Sequence, residues 1–214
     1  MFRQIDHKEF NNCFDKFKNE WALLSVGPLD NHNAMTVAWA GLGYLWRKEV
    51  AFIFVRPSRH TFKFSENNDF FALSFFDEQY RDALSYYGTK SGRDVNKDEA
   101  CNFHPFELNN VTIYEEARTT IICKKIYADD IKPELFLDND IEKCYPDHSY
   151  HKMYICEVVA IYQTRASLYM PPWQERPPRH AFLTCQLPGP QPRGNRQETL
   201  TLPPGGLPFK DCRG

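Results

Sequence analysis

The sequence predicts a mainly β protein: an antiparallel barrel with a few short helices, followed by an irregular, proline-rich C-terminal tail. Short runs of branched and aromatic residues recur along the chain, and only two segments have a helical pattern. Many short strands with few helices favour an antiparallel barrel, because closure of the sheet removes exposed edges. A change in composition near residue 163 predicts the tail.

The size and composition of the chain fit one globular domain with an additional segment. The chain has 214 residues, of which 42% are hydrophobic and 15% aromatic, and its formal net charge is −2. This composition excludes a disordered chain or one that coats nucleic acid. The front part has no uncharged apolar run long enough to cross a bilayer, and the N-terminus lacks an apolar signal core. We therefore expect no membrane segment and a cytoplasmic location.

Strands are predicted where β-branched and aromatic residues cluster between Gly, Pro, Asn or Asp. These runs cover residues 21–26, 34–40, 50–55, 70–75, 111–114, 117–127 and 153–162. Two helices are predicted between them, over residues 59–67 and 78–87, and Gly88 is the expected C-cap of the second helix.

A compact cationic loop follows the predicted strand at 50–55. Residues 56–61 read Arg-Pro-Ser-Arg-His-Thr and lead into the first predicted helix. Ser58 lies where an N-cap is expected, helix N-terminal amides point outward, and Arg56 and Arg59 can supply charge-assisted hydrogen bonds to a phosphate. The alternative is that Ser58 only caps the helix and the arginines are solvated, and spacing alone favours this alternative.

Four motifs, taken in order, resemble those of the flavin-reductase-like, flavoredoxin-type family. They are N-x-M-T-V-A-W at 33–39, V-R-P-S-R-H-T at 55–61, L-S-F-F-D at 73–77, and the segment 80–94 that ends in S-G-R-D. The similarity continues through 115–118 and through the last predicted strand around 151–159. This resemblance implies a split β-barrel over residues 1–163, a homodimer with FMN near the subunit interface, and an FMN phosphate held by the loop 56–61.

The resemblance also assigns residues to the flavin ring. An isoalloxazine needs an apolar, partly aromatic slot for its faces and hydrogen-bond donors for its pyrimidine edge. Met35, Trp39 and Phe75 can supply the slot, and Thr36 and Ser74 the donors, although each could equally belong to the barrel core. The implied FMN-binding residues are Met35, Thr36, Val37, Ala38, Trp39, Arg56, Pro57, Ser58, Arg59, Thr61, Ser74, Phe75, Ser91 and Arg93.

His151 opens the last predicted strand, where the resemblance suggests a catalytic residue that faces the flavin or the incoming nicotinamide. A lone histidine in a strand can instead be structural. One departure from the family pattern lies five residues later, because Cys156 replaces a glycine that often precedes the Glu-Val of this strand. A side chain at this position could crowd the ring or its neighbouring backbone and weaken flavin binding.

The function that the resemblance implies is that of an oxidoreductase. Bound FMN would accept a hydride from NADH or NADPH and pass electrons to free flavin or to a protein. No G-x-G-x-x-G fingerprint follows a strand, so the nicotinamide would bind only transiently. The alternatives are a non-enzymatic FMN-binding electron carrier and a flavin-free dimeric module. We expect no metal, because the group Cys144, Asp147, His148 and His151 matches no zinc signature.

The tail, residues 164–214, contains ten of the 15 prolines. Before it there are 19 basic and 25 acidic residues, and within it 7 basic and 3 acidic residues. We expect a disordered segment that adds nothing to the core. It is either a native proline-rich linker or interaction tail, or a foreign or frame-shifted sequence. The seven cysteines show no regular spacing and are expected to be reduced thiols.

Overall fold

An antiparallel sheet of eight strands forms the main body of the protein. The computed structural model describes residues 2–5, 14 and 16–164. Its strands are β1 (Phe2–Ile5), β2 (Ala22–Val26), β3 (Asn33–Val37), β4 (Ala40–Leu45), β5 (Lys48–Val55), β6 (Phe70–Phe75), β7 (Pro105–Leu108), β8 (Val111–Tyr114), β9 (Thr119–Asp130) and β10 (Lys152–Thr164). The order in the sheet is β3-β2-β6-β9-β10-β5-β4, with β1 paired to the end of β10. β7 and β8 form a separate hairpin.

The sheet curls around one apolar core. β3 and β4 lie at opposite ends of the strand order, yet Met35 of β3 and Leu42 of β4 pack against the same cluster of buried side chains. β5 shows how the strands fill this core, because Ile53 and Val55 are buried while Phe54, between them, is partly exposed. Side chains of a strand alternate between its two faces, so Phe54 points to the opposite side from the core.

Three short α-helices connect the strands: α1 (Thr61–Asn67), α2 (Arg81–Thr89) and α3 (Lys97–Cys101). Single turns of other helix types lie at Lys16–Glu20, Glu78–Tyr80, Pro133–Leu135 and Ile141–Cys144. α2 packs on the outer side of the sheet, where Leu84 and Tyr87 join Leu23 of β2 and Ala34 of β3 in a second apolar cluster. No helix among the described residues is long and apolar enough to span a membrane.

Two predicted helix caps are wrong. The first helix begins at Thr61, and its N-cap is His60, whose side chain makes no capping hydrogen bond. Ser58 lies outside the helix, in a turn that is closed by the hydrogen bond from the Arg59 N–H to the Arg56 carbonyl at 3.0 Å. The second helix continues through Gly88 to Thr89, with Lys90 as its C-cap. Gly88 instead permits close packing, since a Cβ there would lie 3.4 Å from Cβ of Thr36 on β3.

Most predicted strands are confirmed. The strand predicted at 34–40 is divided between two strands: residues 34–37 belong to β3, Ala40 is the first residue of β4, and Ala38 and Trp39 form a break between them. β4 contains Gly41 and Gly43, which have low strand propensity, and so it lacks the sequence signal of a strand. Gly43 lies close to β5, since a Cβ there would be 3.1 Å from the ring of Phe52, and that ring would have to shift by a few tenths of an ångström.

The predicted tail lies outside the described residues, apart from Thr164 at the end of β10. Cys13, Cys185 and Cys212 also lie outside them. The structure describes four cysteines, Cys101, Cys123, Cys144 and Cys156, and the buried Cys123 and Cys156 are free thiols. Cys156 is fully buried in the barrel core, so its side chain points into the barrel.

Candidate functional site

A narrow surface depression lies where β3, β5 and the start of β10 meet. Four of its lining residues come from the end of β3 and the break that follows it, two come from the loop after β5, and the others belong to β5 and to the residue before β10. The lining residues are Met35, Val37, Ala38, Trp39, Phe54, Arg56, Arg59 and His151. Seven of these eight are residues that the resemblance implied, and they are distant from one another in the sequence.

Two arginines form the cationic wall of the depression. Nη2 of Arg56 donates to the Cys144 carbonyl at 2.9 Å, and Nη1 lies 3.5 Å from a carboxylate oxygen of Asp147. Nη1 of Arg59 donates to the Gly88 carbonyl at 2.7 Å. Burial and the neighbouring charge of Arg56 both lower the pKa of the Arg59 guanidinium. The backbone and Asp147 therefore hold two like charges side by side, an arrangement that favours an anion between them.

Two buried nitrogens beside this wall lack hydrogen-bond partners among the described residues: Nε of Arg56 and Nδ1 of His60. A buried polar atom without a partner costs about 1–3 kcal/mol, so such atoms mark places where a ligand or water can bind. The pKa of His60 is lowered by burial and then by the positive charges of Lys63, Arg93 and Lys97. The surroundings of the loop 56–61 are thus electropositive and contain unused hydrogen-bonding capacity, which fits a phosphate.

A second part of the depression is aromatic. The Trp39 ring lies 5.0 Å from the His151 imidazole and 6.2 Å from the Tyr145 ring, measured between centroids. Nδ1 of His151 is 3.0 Å from the Tyr145 hydroxyl. Burial, followed by the charges of Arg56 and Arg59, lowers the pKa of His151 to about 4. The imidazole is therefore neutral near pH 7 and can act as one donor and one acceptor.

The loop at 91–94 approaches His60, which lies beside the cationic wall. Gly92 permits this approach, because a Cβ there would lie 2.0 Å from Oδ1 of Asn33 and 3.3 Å from Cδ2 of His60. Ser91 stabilises the loop itself, since its hydroxyl accepts a hydrogen bond from the Arg93 N–H at 3.2 Å. Arg93 is exposed and close enough to His60 to affect its pKa. Ser91 and Arg93 thus lie near the depression without lining it.

Other residues that the resemblance implied do not line the depression. Thr36 donates its hydroxyl to the Leu84 carbonyl of α2 at 2.5 Å. Thr61 is buried and accepts a hydrogen bond from the side-chain amide of Asn33 at 2.7 Å. Ser74 is fully buried, with its hydroxyl 3.0 Å from that of Thr120 on β9.

Three more implied residues also lie outside the lining of the depression. Phe75 is buried in the barrel core, where its ring packs edge-on against Phe17. Pro57 and Ser58 are exposed in the turn before α1. Their backbone continues directly from Arg56, so they remain adjacent to the cationic wall.

Three residues of this region were missed by sequence reasoning: Phe54, His60 and Tyr145. Phe54 follows the alternation of β5, which marks it as facing away from Ile53 and Val55, so a period-two analysis could have found it. His60 belongs to the motif at 55–61, and the resemblance implies no role for it. Tyr145 lies between Cys144 and Pro146 in a segment without strand or helix pattern. No signal in the sequence places its ring against Trp39.

Comparisons with known proteins show which fold this is. No protein-family model and no curated protein matches the chain. Solved structures with similar folds include an FMN-binding domain of a flavin reductases-like enzyme from Shewanella baltica, with 16% identity over 76% of this chain and 77% of that one and a TM-score of 0.56. Flavoredoxin of Desulfovibrio vulgaris is 18% identical over 69% and 70% of the two chains, with a TM-score of 0.55.

A third similar structure is the FMN-binding protein from Thermus thermophilus with bound p-hydroxybenzaldehyde. It is 20% identical over 69% of this chain and 73% of that one, with a TM-score of 0.54. Identities at this level concern the fold alone. The chain has the antiparallel split-barrel fold of flavin reductase-like proteins, and this confirms the fold that the resemblance implied.

Proposed function

We propose that this chain is an FMN-binding oxidoreductase of the flavin reductase type, which transfers a hydride from NAD(P)H to bound flavin and then electrons to an acceptor. One observation carries the proposal. Residues that the resemblance assigned to flavin from three separate segments, among them Trp39, Arg56 and His151, line a single depression. Two of the similar structures are named as FMN-binding and one as flavin reductase-like, which supports the same function.

The FMN phosphate would bind at the cationic wall. Arg56 and Arg59 supply two positive charges, and Nε of Arg56 is buried without a partner among the described residues. A phosphate dianion would accept hydrogen bonds from these groups and offset the repulsion between the guanidiniums. Arg93 and the loop at 91–94 would add a further charge from the side, where they approach His60.

The flavin ring would lie against β3 and Trp39. β3 is a terminal strand of the sheet order and pairs only with β2 among the described strands. Its second edge can therefore offer backbone N–H and C=O groups to the pyrimidine edge of the ring. Met35 and Trp39 supply the apolar surface that the faces of the ring require. The position of Cys156 inside the barrel leaves this surface free of its side chain.

Bound flavin supplies the two-electron chemistry, and the chain binds and orients it. The two arginines place positive charge beside the ligand, and His151 contributes a neutral imidazole. No G-x-G-x-x-G fingerprint is present, so the nicotinamide would bind transiently against an open face of the ring. The homodimer that the resemblance implies and a cytoplasmic location also remain predictions.

The test is spectroscopic. The purified full chain, with FMN added if it is colourless, is expected to show the yellow flavin absorbance and to lose it when NADH or NADPH is added without oxygen. A chain that holds FMN but does not respond to either nicotinamide would contradict the reductase and support an electron carrier. If the chain cannot be loaded with FMN, both the reductase and the electron carrier are contradicted, and the flavin-free module is supported.

A further inference from the structure

The tyrosine at the edge of the depression makes a directed contact with the histidine. Tyr145 and His151 are both nearly inaccessible, at 4% and 3% of full exposure, and the Tyr145 hydroxyl lies 3.0 Å from Nδ1 of His151. The Tyr145 hydroxyl can donate its proton to Nδ1, because a phenol O–H is a hydrogen-bond donor as well as an acceptor.

An imidazole that accepts at Nδ1 carries its proton on Nε2 if it is neutral. His151 is neutral near pH 7, because burial and the two arginines lower its pKa to about 4. No described residue is hydrogen-bonded to Nε2, while the ring itself lines the depression. In that tautomer the Nε2–H group would be available to a ligand in the depression, which Arg56 and Arg59 also line.

Packing on three sides holds the Tyr145 ring in place. The Phe136 ring stacks on it at 6.1 Å with an interplanar angle of 19°, and the Tyr150 ring lies 5.0 Å away. The Arg56 guanidinium lies 5.2 Å from the centre of the ring. The hydroxyl is thus aimed at His151 by a rigid aromatic group, and Arg56 connects the same group to the cationic wall.

We propose that Tyr145 is a positioning residue that fixes His151 in the Nε2–H tautomer, so that this N–H donates to an acceptor atom of the ligand in the depression. The identity of the ligand as FMN rests on the proposed function. The tautomer itself is a property of the protein alone. Tyr145 would then act on the ligand only through His151.

The first test reads the tautomer without any flavin, from the side-chain ¹⁵N chemical shifts of the full chain at pH 7. A His151→Gln variant assigns the signals. We expect Nε2 of His151 to show the shift of a protonated nitrogen and Nδ1 that of an unprotonated one. Tyr145→Phe keeps the ring but removes the hydroxyl, and it should move both shifts towards a mixture of tautomers. A proton on Nδ1 in the unmodified chain would overturn the proposal.

The matched control is Tyr150→Phe, because Tyr150 packs on Tyr145 but donates its hydroxyl to Glu142 at 2.7 Å. This variant should leave the His151 shifts unchanged. An equal effect of both substitutions would mean that packing and not the Tyr145 hydroxyl sets the tautomer, and would overturn the proposal. Since these shifts need no flavin, the result stands whether or not the proposed function is correct.

The second test is a double-mutant cycle on FMN affinity. Tyr145→Phe should weaken FMN binding several-fold in the unmodified chain and have no effect in the His151→Gln background, because the two residues act as a unit. Equal losses in both backgrounds would show that Tyr145 affects the ligand independently of His151. If neither the unmodified chain nor any variant binds FMN, the proposed function is contradicted. The tautomer measured by NMR would still be valid, because that measurement needs no FMN.

Discussion

At the scale of single residues, His151 has the most unusual environment in the depression. It is almost fully buried, it contacts Trp39 and Tyr145, and it lies near two arginines. Its folded-state pKa of about 4 is below the ordinary value of 6.5. Between these two values the unfolded chain binds a proton that the folded chain does not, so stability must rise with pH in this window.

This difference predicts a pH-dependent stability that a variant can isolate. From pH 7 to pH 4, the unmodified chain should lose up to about 3 kcal/mol of unfolding free energy relative to His151→Gln. Urea unfolding at a series of pH values measures it. Parallel stability curves for His151→Gln and the unmodified chain would contradict a buried, neutral His151.

Trp39 offers a second measurement at this scale. It lines the depression, whereas Trp46 is 55% exposed and packs near Tyr127. We predict that FMN quenches tryptophan fluorescence and that Trp39→Phe removes a distinct share of this quenching, because the Trp39 ring would contact the isoalloxazine. Trp46→Phe should keep the share of the quenching that comes from Trp39. If Trp39→Phe is quenched as strongly as the unmodified chain, the ring does not lie against Trp39.

At the scale of elements, the Asp98 carboxylate connects α3 to several neighbouring elements. Oδ1 of Asp98 accepts hydrogen bonds from Tyr87 of α2 at 2.5 Å and from Tyr114 of β8 at 3.2 Å, and Oδ2 lies 3.0 Å from Nε2 of His32. Burial would raise the pKa of Asp98, but the hydrogen bonds from His32 and Tyr87 outweigh it and lower the pKa. Asp98 thus joins α3, α2, β8 and the loop before β3 in its ionised form.

We predict that Asp98→Asn destabilises the fold by about 1–3 kcal/mol, because the amide nitrogen cannot accept the hydrogen bonds that one carboxylate oxygen receives. Thermal or urea unfolding measures the loss. Glu99→Gln removes the same charge from the next residue of α3, which is exposed, and should change stability by less than about 0.5 kcal/mol. Similar losses for both variants would show that charge and not this network is responsible.

The elements also show what the sequence could predict. β6 and β8 were predicted with their observed ends, because their runs of apolar residues begin directly after the polar Asp69 and Asn110. β4 was missed because glycines that admit Phe52 weaken its signal, and Gly88 was read as a cap because its packing partner, Thr36, is distant in sequence. The depression was likewise predictable only in part. Local motifs identified the lining residues Trp39 and Arg56, whereas the contact of Tyr145 with Trp39 depends on tertiary packing and has no local sequence pattern.

At the scale of the whole molecule, β10 connects most of the sheet. It pairs with β9 along most of its length, with β5 over residues 152–157 and with β1 at its end, where the Thr164 N–H also donates to the Arg118 carbonyl at 3.0 Å. Thr164 is therefore the last described residue that makes a hydrogen bond within the fold. The residues that follow are rich in proline, which lacks a backbone N–H and cannot extend the hydrogen-bonded ladder.

We predict that the chain cut after Thr164 folds and binds FMN like the full chain. The melting temperature and the FMN affinity of the two forms should agree. The cut is placed after Thr164, and not one residue earlier, because it keeps the pairing of Thr164 with Phe2. A clearly lower melting temperature or a lost flavin would show that residues 165–214 contribute to the fold or to the site.

The central claim is that the depression holds FMN by its phosphate, and comparison of FMN with riboflavin tests it most directly. Arg56→Ala and Arg59→Ala should each weaken FMN binding about 10- to 100-fold, since each charge-assisted contact contributes about 1.5–3 kcal/mol. Riboflavin has no phosphate, so its affinity should hardly change. Lys124→Ala, which removes an exposed cation of β9 outside the depression, should leave both affinities unchanged. Equal losses for FMN and riboflavin, or no loss for FMN, would contradict the account.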